Sequence, residues 1–234
     1  MAKAIRHDGS GRMLHVIGRA VNGDLHFPDD DDAQRFWNEL GYRSLEFGVQ
    51  ILAMCLLGNH YHLIVRGEAG PLADTMHRAL SKLANVRNKR EGRRGALVGR
   101  RYDVVHPNDA LHTSRLIRYV PMNPVHHKLA EDPARWVWST HSILLGKRVA
   151  PEWFDRAEVL RSFGFVDAKA YERFVLAGTP LVPPPMTPLE VKHHRVLVMA
   201  QAGMSLEHMV EVSGYSKRHV ERLIAESAVR STFV

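Results

Sequence analysis

The apolar positions change their period several times along the chain. Residues 13–17 form a short apolar run between Gly11 and Gly18, which predicts a strand. In "DDDDAQRFWNEL" the aspartates lead into Phe36, Trp37 and Leu40 at helical spacing, so a helix with an acid-capped start is predicted. Residues 49–57 are nearly all apolar and predict a buried strand. Gly58-Asn59 is a two-residue turn signal, and residues 60–65 form the returning strand. Leu72, Met76, Leu80, Leu83 and Val86 place a helix over 72–88. A further strand is predicted over 98–105 and a further helix over 111–118. This order of strand, helix, strand, strand, helix, strand, helix predicts an α+β fold: a ferredoxin-like antiparallel sheet with helices on one face.

Residues 178–188, "GTPLVPPPMTP", carry five prolines and no charge. Proline fixes φ and removes a backbone donor, so this segment is predicted to be a semi-rigid linker. It divides the chain into a body, 1–177, and a C-terminal all-α unit, 189–234. In that unit Ser205 can cap one helix, Gly214 marks a turn, and Ser216 can cap a second helix with Val220, Leu223 and Ile224 on its apolar side. Helix, glycine turn, helix is the layout of a helix-turn-helix, whose second helix would carry Lys217, Arg218, His219 and Arg222 toward DNA. A helical hairpin used only for packing has the same pattern. Six Lys/Arg against five Asp/Glu from residue 189 onward leave the unit nearly neutral.

Composition then narrows the partners. The 234 residues are 45% hydrophobic and 24% charged, as in globular proteins. The formal net charge of +7 favours a polyanionic partner such as nucleic acid. That excess is local: residues 82–101 hold eight Lys/Arg and one Glu, and the rest of the chain is balanced. Arg87, Lys89, Arg90, Arg93 and Arg94, with Arg100 and Arg101 at the end of the tract, are the candidate phosphate contacts, supplying affinity rather than sequence choice. The single cysteine, Cys55, allows no intrachain disulfide and is expected to be a small buried hydrophobe. The first residues lack the pattern of a secretory signal, and the apolar run 51–57 is too short to span a bilayer. A cytoplasmic, nucleoid-associated protein without membrane contact is therefore expected.

Two stretches carry candidate chemistry. In "GNHYHLIV", His60, His62 and Ile64 share one strand face, with the histidine Cα atoms about 6.5–7 Å apart. Two imidazoles so spaced can converge on one cation, and they can equally be hydrogen-bonded histidines on a solvated face. A metal site needs a further ligand and an open position. In "RLIRYVPMNPVHH", Tyr119 and Asn123 share a face if the segment is helical. Pro121 and Pro124 predict a kink or a restart near 121. A packed helix end with an amphipathic tyrosine also fits. His126-His127 reads as a polar helix face, and Trp136 and Trp138 as packing anchors.

Together these segments resemble a family. "GNHYHLIVRG" resembles the His-hydrophobe-His segment of the single-tyrosine HUH transposases. "RYVPMNPVHHKLAEDPARWVWSTHSILLG" resembles the Tyr-x-x-x-Asn-Pro-Val region of their REP-associated branch, and "PEWFDRAEVLRSFG" a segment that follows it. Order and spacing agree from about residue 13 to 178. In "LVGRRYDVV" an extra arginine, Arg100, interrupts the family's Gly-Arg-aromatic step. The resemblance implies a metal-dependent nuclease and strand transferase that cuts single-stranded DNA with hairpins beside palindromic repeats. By position His60 and His62 correspond to metal ligands, Asn123 to the side chain that completes the metal site, and Tyr119 to the nucleophile. The family's ion is Mg2+ or Mn2+, although two imidazoles suit manganese or zinc better than magnesium. Monomers and homodimers both occur in the family. Two other classes stay open: a non-catalytic, sequence-specific DNA-binding regulator on the same scaffold, and a metal hydrolase that adds His106 and Asp109 to the histidine pair.

Overall fold

In a computed structural model, β1 (Met13–Arg19), α1 (Asp30–Phe47), β2 (Gln50–Leu56), β3 (His60–Arg66), α2 (Ala69–Glu91), β4 (Asp103–Val105) and α3 (Ala110–His126) follow one another in the predicted order. The structure describes residues 12–20, 25–92, 94, 102–107, 109–177, 205–213, 215–222 and 224. The chain divides into two compact units, 1–184 and 185–234. The proposed linker, 178–188, lies outside the described residues.

Among the described residues the sheet has four strands in the order β2-β3-β1-β4, with each neighbouring pair antiparallel. This is the strand order of a ferredoxin-like β-α-β-β-α-β unit. The Gly58-Asn59 turn closes the β2–β3 hairpin, and Leu57 N donates to His60 O at 2.8 Å. The register of β1 on β3 pairs Ile17 with His62, Gly18 with Tyr61 and Arg19 with His60. Gly18 is required there: a Cβ on it would lie 2.0 Å from Cζ of Tyr61.

Alternation on β3 sends Tyr61, Leu63 and Val65 to one face and His60, His62 and Ile64 to the other. The Tyr61 face packs against α1, with its ring 5.2 Å from Phe36. α1 starts where Asp29 Oδ1 accepts from Asp32 N at 2.8 Å, and it ends at Gly48, whose φ of 71° suits glycine. α2 packs along α1 and buries Leu72, Met76, Ala79 and Leu83. This pair covers one face of the sheet, as expected of the ferredoxin-like arrangement. The opposite face carries α3, which buries Leu116, Ile117 and Val120. All seven residues of β2 are buried, as a strand covered on both sides must be.

α3 is also longer than the predicted 111–118, running to His126 as one helix through Pro121 and Pro124. Pro124 removes the N–H that would reach Val120 O. The side-chain amide of Asn123 reaches that carbonyl at 3.4 Å, and its Nδ2 also donates, at 2.9 Å, to Tyr119 O.

After a 3-10 turn (Pro133–Arg135), the chain runs along β2 and seals its edge. Leu56 N donates to Trp138 O at 2.8 Å, Thr140 N to Met54 O at 2.9 Å, and Trp136 Nε1 to Leu56 O at 2.8 Å. Trp138 also packs against Trp37, so both tryptophans anchor this segment as expected. Among the described residues, three short helices follow in the body: α4 (His141–Leu144), α5 (Arg156–Ser162) and α6 (Ala168–Leu176). Cys55 is fully buried, and burial pushes its thiol pKa up, as expected of a core residue. In the C-terminal unit, α7 (Leu206–Ser213) and the helical residues 217–222 bury Met209 against Val220. Ser205 Oγ and Ser216 Oγ accept from His208 N and His219 N, both at 3.3 Å. Gly214 lies outside the described residues. No described helix is long and apolar enough to cross a membrane.

Two buried histidines outside the strands couple stability to pH. Burial lowers the pKa of His26 from 6.5 to about 4, and that of His141, which is bonded to Tyr171 Oη, also to about 4. Both groups hold protons more tightly when unfolded. Stability is therefore complete above pH 6.5 and falls as the pH drops toward 4. The urea midpoint is expected to decline steadily over that window, and His141→Gln to flatten the decline. A midpoint constant from pH 7 to 4 would contradict this.

Candidate active site on the sheet face beneath the third helix

β3 presents His60 and His62, both buried, toward α3, with ring centroids 5.2 Å apart and planes at 90°. α3 brings Tyr119 to the same place: its ring is edge-on to His62 at 5.3 Å. Asn123 lies one helical turn on and is buried. Three of the four residues predicted as a site, His60, His62 and Tyr119, are thus gathered across 57 positions of sequence between His62 and Tyr119, and Asn123 follows Tyr119 on the same helix.

Three histidines not assigned to the site also converge there. His127 is edge-on to His60 at 4.8 Å, and His126 is 5.7 Å from the Tyr119 ring. The predicted polar helix face is therefore the rim of the site. His126 is seven residues after Tyr119, two turns along one helix, and this relation is visible only once α3 is known to pass its prolines. On β1, His15 Nε2 lies 3.0 Å from His62 Nδ1. A single histidine inside the apolar run 13–17 was the available signal. Arg19, at the end of β1, sits opposite His60.

Burial favours the neutral form of His62 and His15. His62 is held well below its ordinary 6.5 by burial first, and then by His15, His60, Arg19 and His127. Burial, with a smaller contribution from His112, lowers His15 to about 3. A neutral imidazole keeps one lone pair, which a metal ligand needs. His60 Nδ1 lies 2.7 Å from Asn59 Oδ1, an acceptor, so that nitrogen donates and Nε2 carries the lone pair.

Among the described residues, no three His, Cys, Asp or Glu side chains form a metal-binding group. The set that suits a divalent ion is mixed: His60, His62 and the amide oxygen of Asn123. With its Nδ2 committed to the helix carbonyls, Asn123 leaves Oδ1 buried with no hydrogen-bond partner. A buried acceptor in that state gains from a cation or a donor. The further hydrolase ligands are not gathered: Asp109 caps α3 through His112 N at 2.6 Å, and His106 is exposed.

The basic tract departs from expectation. Arg87 is buried, and its Nε lies 2.9 Å from Glu91 and 3.8 Å from Asp32, while its Nη1 donates to Leu25 O. Arg90 Nη2 lies 2.7 Å from Asp32 and 3.3 Å from Asp29. These two arginines bind α2 to α1, because Asp32 turns inward from the first turn of α1; Arg87 is buried there, while Arg90 stays exposed on its outer side. Lys89 and Arg94 are exposed; Arg93, Arg100 and Arg101 lie outside the described residues. In the C-terminal unit Lys217 and Arg218 are exposed, whereas Arg222 is half-buried with Nη2 2.9 Å from His219 Nδ1.

Neither a family profile nor a curated protein sequence matches this chain. A solved structure of a REP-associated tyrosine transposase bound to a REP hairpin is similar over 66% of this chain and 92% of its own, with 14% identity and a TM-score of 0.47.

Proposed function

We propose that this chain is a metal-dependent endonuclease and strand transferase for single-stranded DNA, the activity implied by its His-x-His and Tyr-x-x-x-Asn-Pro segments. The observation that carries this reading is the meeting of His60 and His62 with Tyr119 across the β3–α3 contact, with the unpartnered amide oxygen of Asn123 one helical turn on. His60, His62 and Asn123 Oδ1 would hold the ion, magnesium or manganese. When bound, a divalent ion polarises the scissile phosphate and offsets the charge that develops on it. Tyr119 Oη attacks the phosphorus, and the bond from phosphorus to the 3′ oxygen breaks. The products are a 5′-phosphotyrosine and a free 3′-OH, with the phenol proton ending on that oxygen. A 3′-OH from another strand reverses the step and joins the strands. The substrate is DNA with a hairpin beside a palindromic repeat. Of the basic residues singled out in the sequence, Lys89, Arg94, Lys217 and Arg218 are exposed and would meet its backbone.

The test is covalent trapping. Labelled single-stranded oligonucleotides with short hairpins are incubated with the protein and Mn2+ and resolved under denaturing conditions. An adduct is expected with Mn2+ and not with EDTA, and His62→Ala is expected to lower its yield about 100-fold or more. An adduct indifferent to metal and to His62 would overturn the proposal.

A further inference from the structure

His15 has no part in the chemistry proposed above, yet it is bonded directly to one of its central residues. It is 1% exposed, on a strand whose Leu14, Val16 and Ile17 are also buried. An imidazole in such surroundings costs free energy unless its nitrogens find partners. Its Nε2 lies 3.0 Å from Nδ1 of His62. The ring centroids are 5.2 Å apart and the planes inclined by only 20°. The difference between those two distances is about the sum of two ring radii, so the nitrogens lie on the line between nearly coplanar rings. The contact is an in-plane hydrogen bond and not a face-to-face stack.

A neutral imidazole has one N–H and one lone pair, so this bond has two forms. If His15 donates, His62 carries its proton on Nε2 and has no lone pair to offer a cation. If His62 donates from Nδ1, its Nε2 is a ligand. On the neighbouring ring the form is fixed, because Asn59 Oδ1 can only accept from His60 Nδ1. Resting on the metal reading above, we propose that His15 is a positioning residue: it accepts from His62 Nδ1–H and so holds His62 in the tautomer and orientation whose Nε2 can ligate a divalent cation. Metal-bound histidines owe their tautomer to such partners, commonly a carboxylate, a carbonyl or water. Here the partner is a second imidazole, and β1 carries it at a position diagonal to His62 across the β1–β3 ladder.

Nitrogen-15 imidazole spectra of the metal-free protein test the direction of the bond without any activity. His62 is expected to show a pyrrole-type Nδ1 and a pyridine-type Nε2. In His15→Phe, which keeps a ring but no acceptor, that pattern is expected to be lost. The affinity for Mn2+, read from the free-ion electron paramagnetic resonance signal, is then expected to fall about 10- to 100-fold. His15→Gln, whose Oε1 can accept, is expected to recover most of both. A wild-type His62 protonated on Nε2, or a His15→Phe protein with unchanged Mn2+ affinity, would overturn the assignment. Wild-type protein with His62 in the Nδ1–H form but no Mn2+ binding would instead overturn the metal reading, leaving the hydrogen-bond direction standing.

Discussion

Tyr119→Phe is expected to abolish the covalent protein–DNA adduct while leaving the fold and strand binding in place. The substitution removes one oxygen and keeps the ring that packs against His62 and His126. Tyr119 is half-buried, so losing the hydroxyl is expected to cost stability no more than about 1 kcal/mol. The adduct bond is made by that oxygen, so its yield should fall by about 10⁴-fold or more, as when a nucleophile is removed from a unit of cooperating groups. Anisotropy with a labelled single strand should show affinity within a few-fold of wild type. Equal adduct in the mutant would place the nucleophile elsewhere. Strand cleavage that survives without any adduct would mean that water attacks, and the histidine pair would then serve a hydrolase.

Asp32→Ala is expected to cost about 3–5 kcal/mol of folding stability, a large share of the total for a domain of this size. The Asp32 carboxylate is fully buried, with Arg90 Nη2 at 2.7 Å and Arg87 Nε at 3.8 Å. Removing it leaves the buried Arg87 guanidinium short of counter-charge, with Glu91 remaining. The same carboxylate stands in the first turn of α1, where negative charge suits the helix dipole. Urea denaturation should show a lower midpoint with an unchanged slope. Because desolvation offsets much of the attraction in such clusters, a joint exchange of Asp32, Arg87 and Arg90 for apolar residues of similar volume is expected to recover stability. A loss below about 1 kcal/mol in Asp32→Ala would show that the cluster is effectively solvated.

The elements nearest the site were legible because their signals are local. Period-two alternation in "HYHLIV" and the Gly-Asn turn define β3, and aspartates ahead of Phe36 and Trp37 define the start of α1. The strand order that follows from β-α-β-β-α-β was legible for the same reason. What escaped depends on long-range geometry. The end of α3 lies beyond the predicted 118: proline normally stops a helix, and the contact made by Asn123 Nδ2 is one that spacing does not show. With the helix cut short, His126 and His127 fell off the site. Arg87 stands among basic neighbours in sequence, which suggest a phosphate contact and give no sign of its ion pairs. Its partner Asp32 lies 55 residues earlier and meets it only when α2 packs on α1. His15 carries only a weak signal, one polar ring inside a short apolar run, whose partner across the sheet no local pattern shows.

The repair of α3 has a mechanical consequence. The amide that bridges the proline gap holds the carbonyl of the tyrosine itself, so Tyr119 and Asn123 are coupled through two short links, the backbone and the side chain. Shifting the tyrosine's main chain would drag the amide oxygen with it. Opening room to hand a severed strand from one partner to another must then come from swinging the phenol about its own bonds, or from sliding α3 as a rigid bar over the sheet.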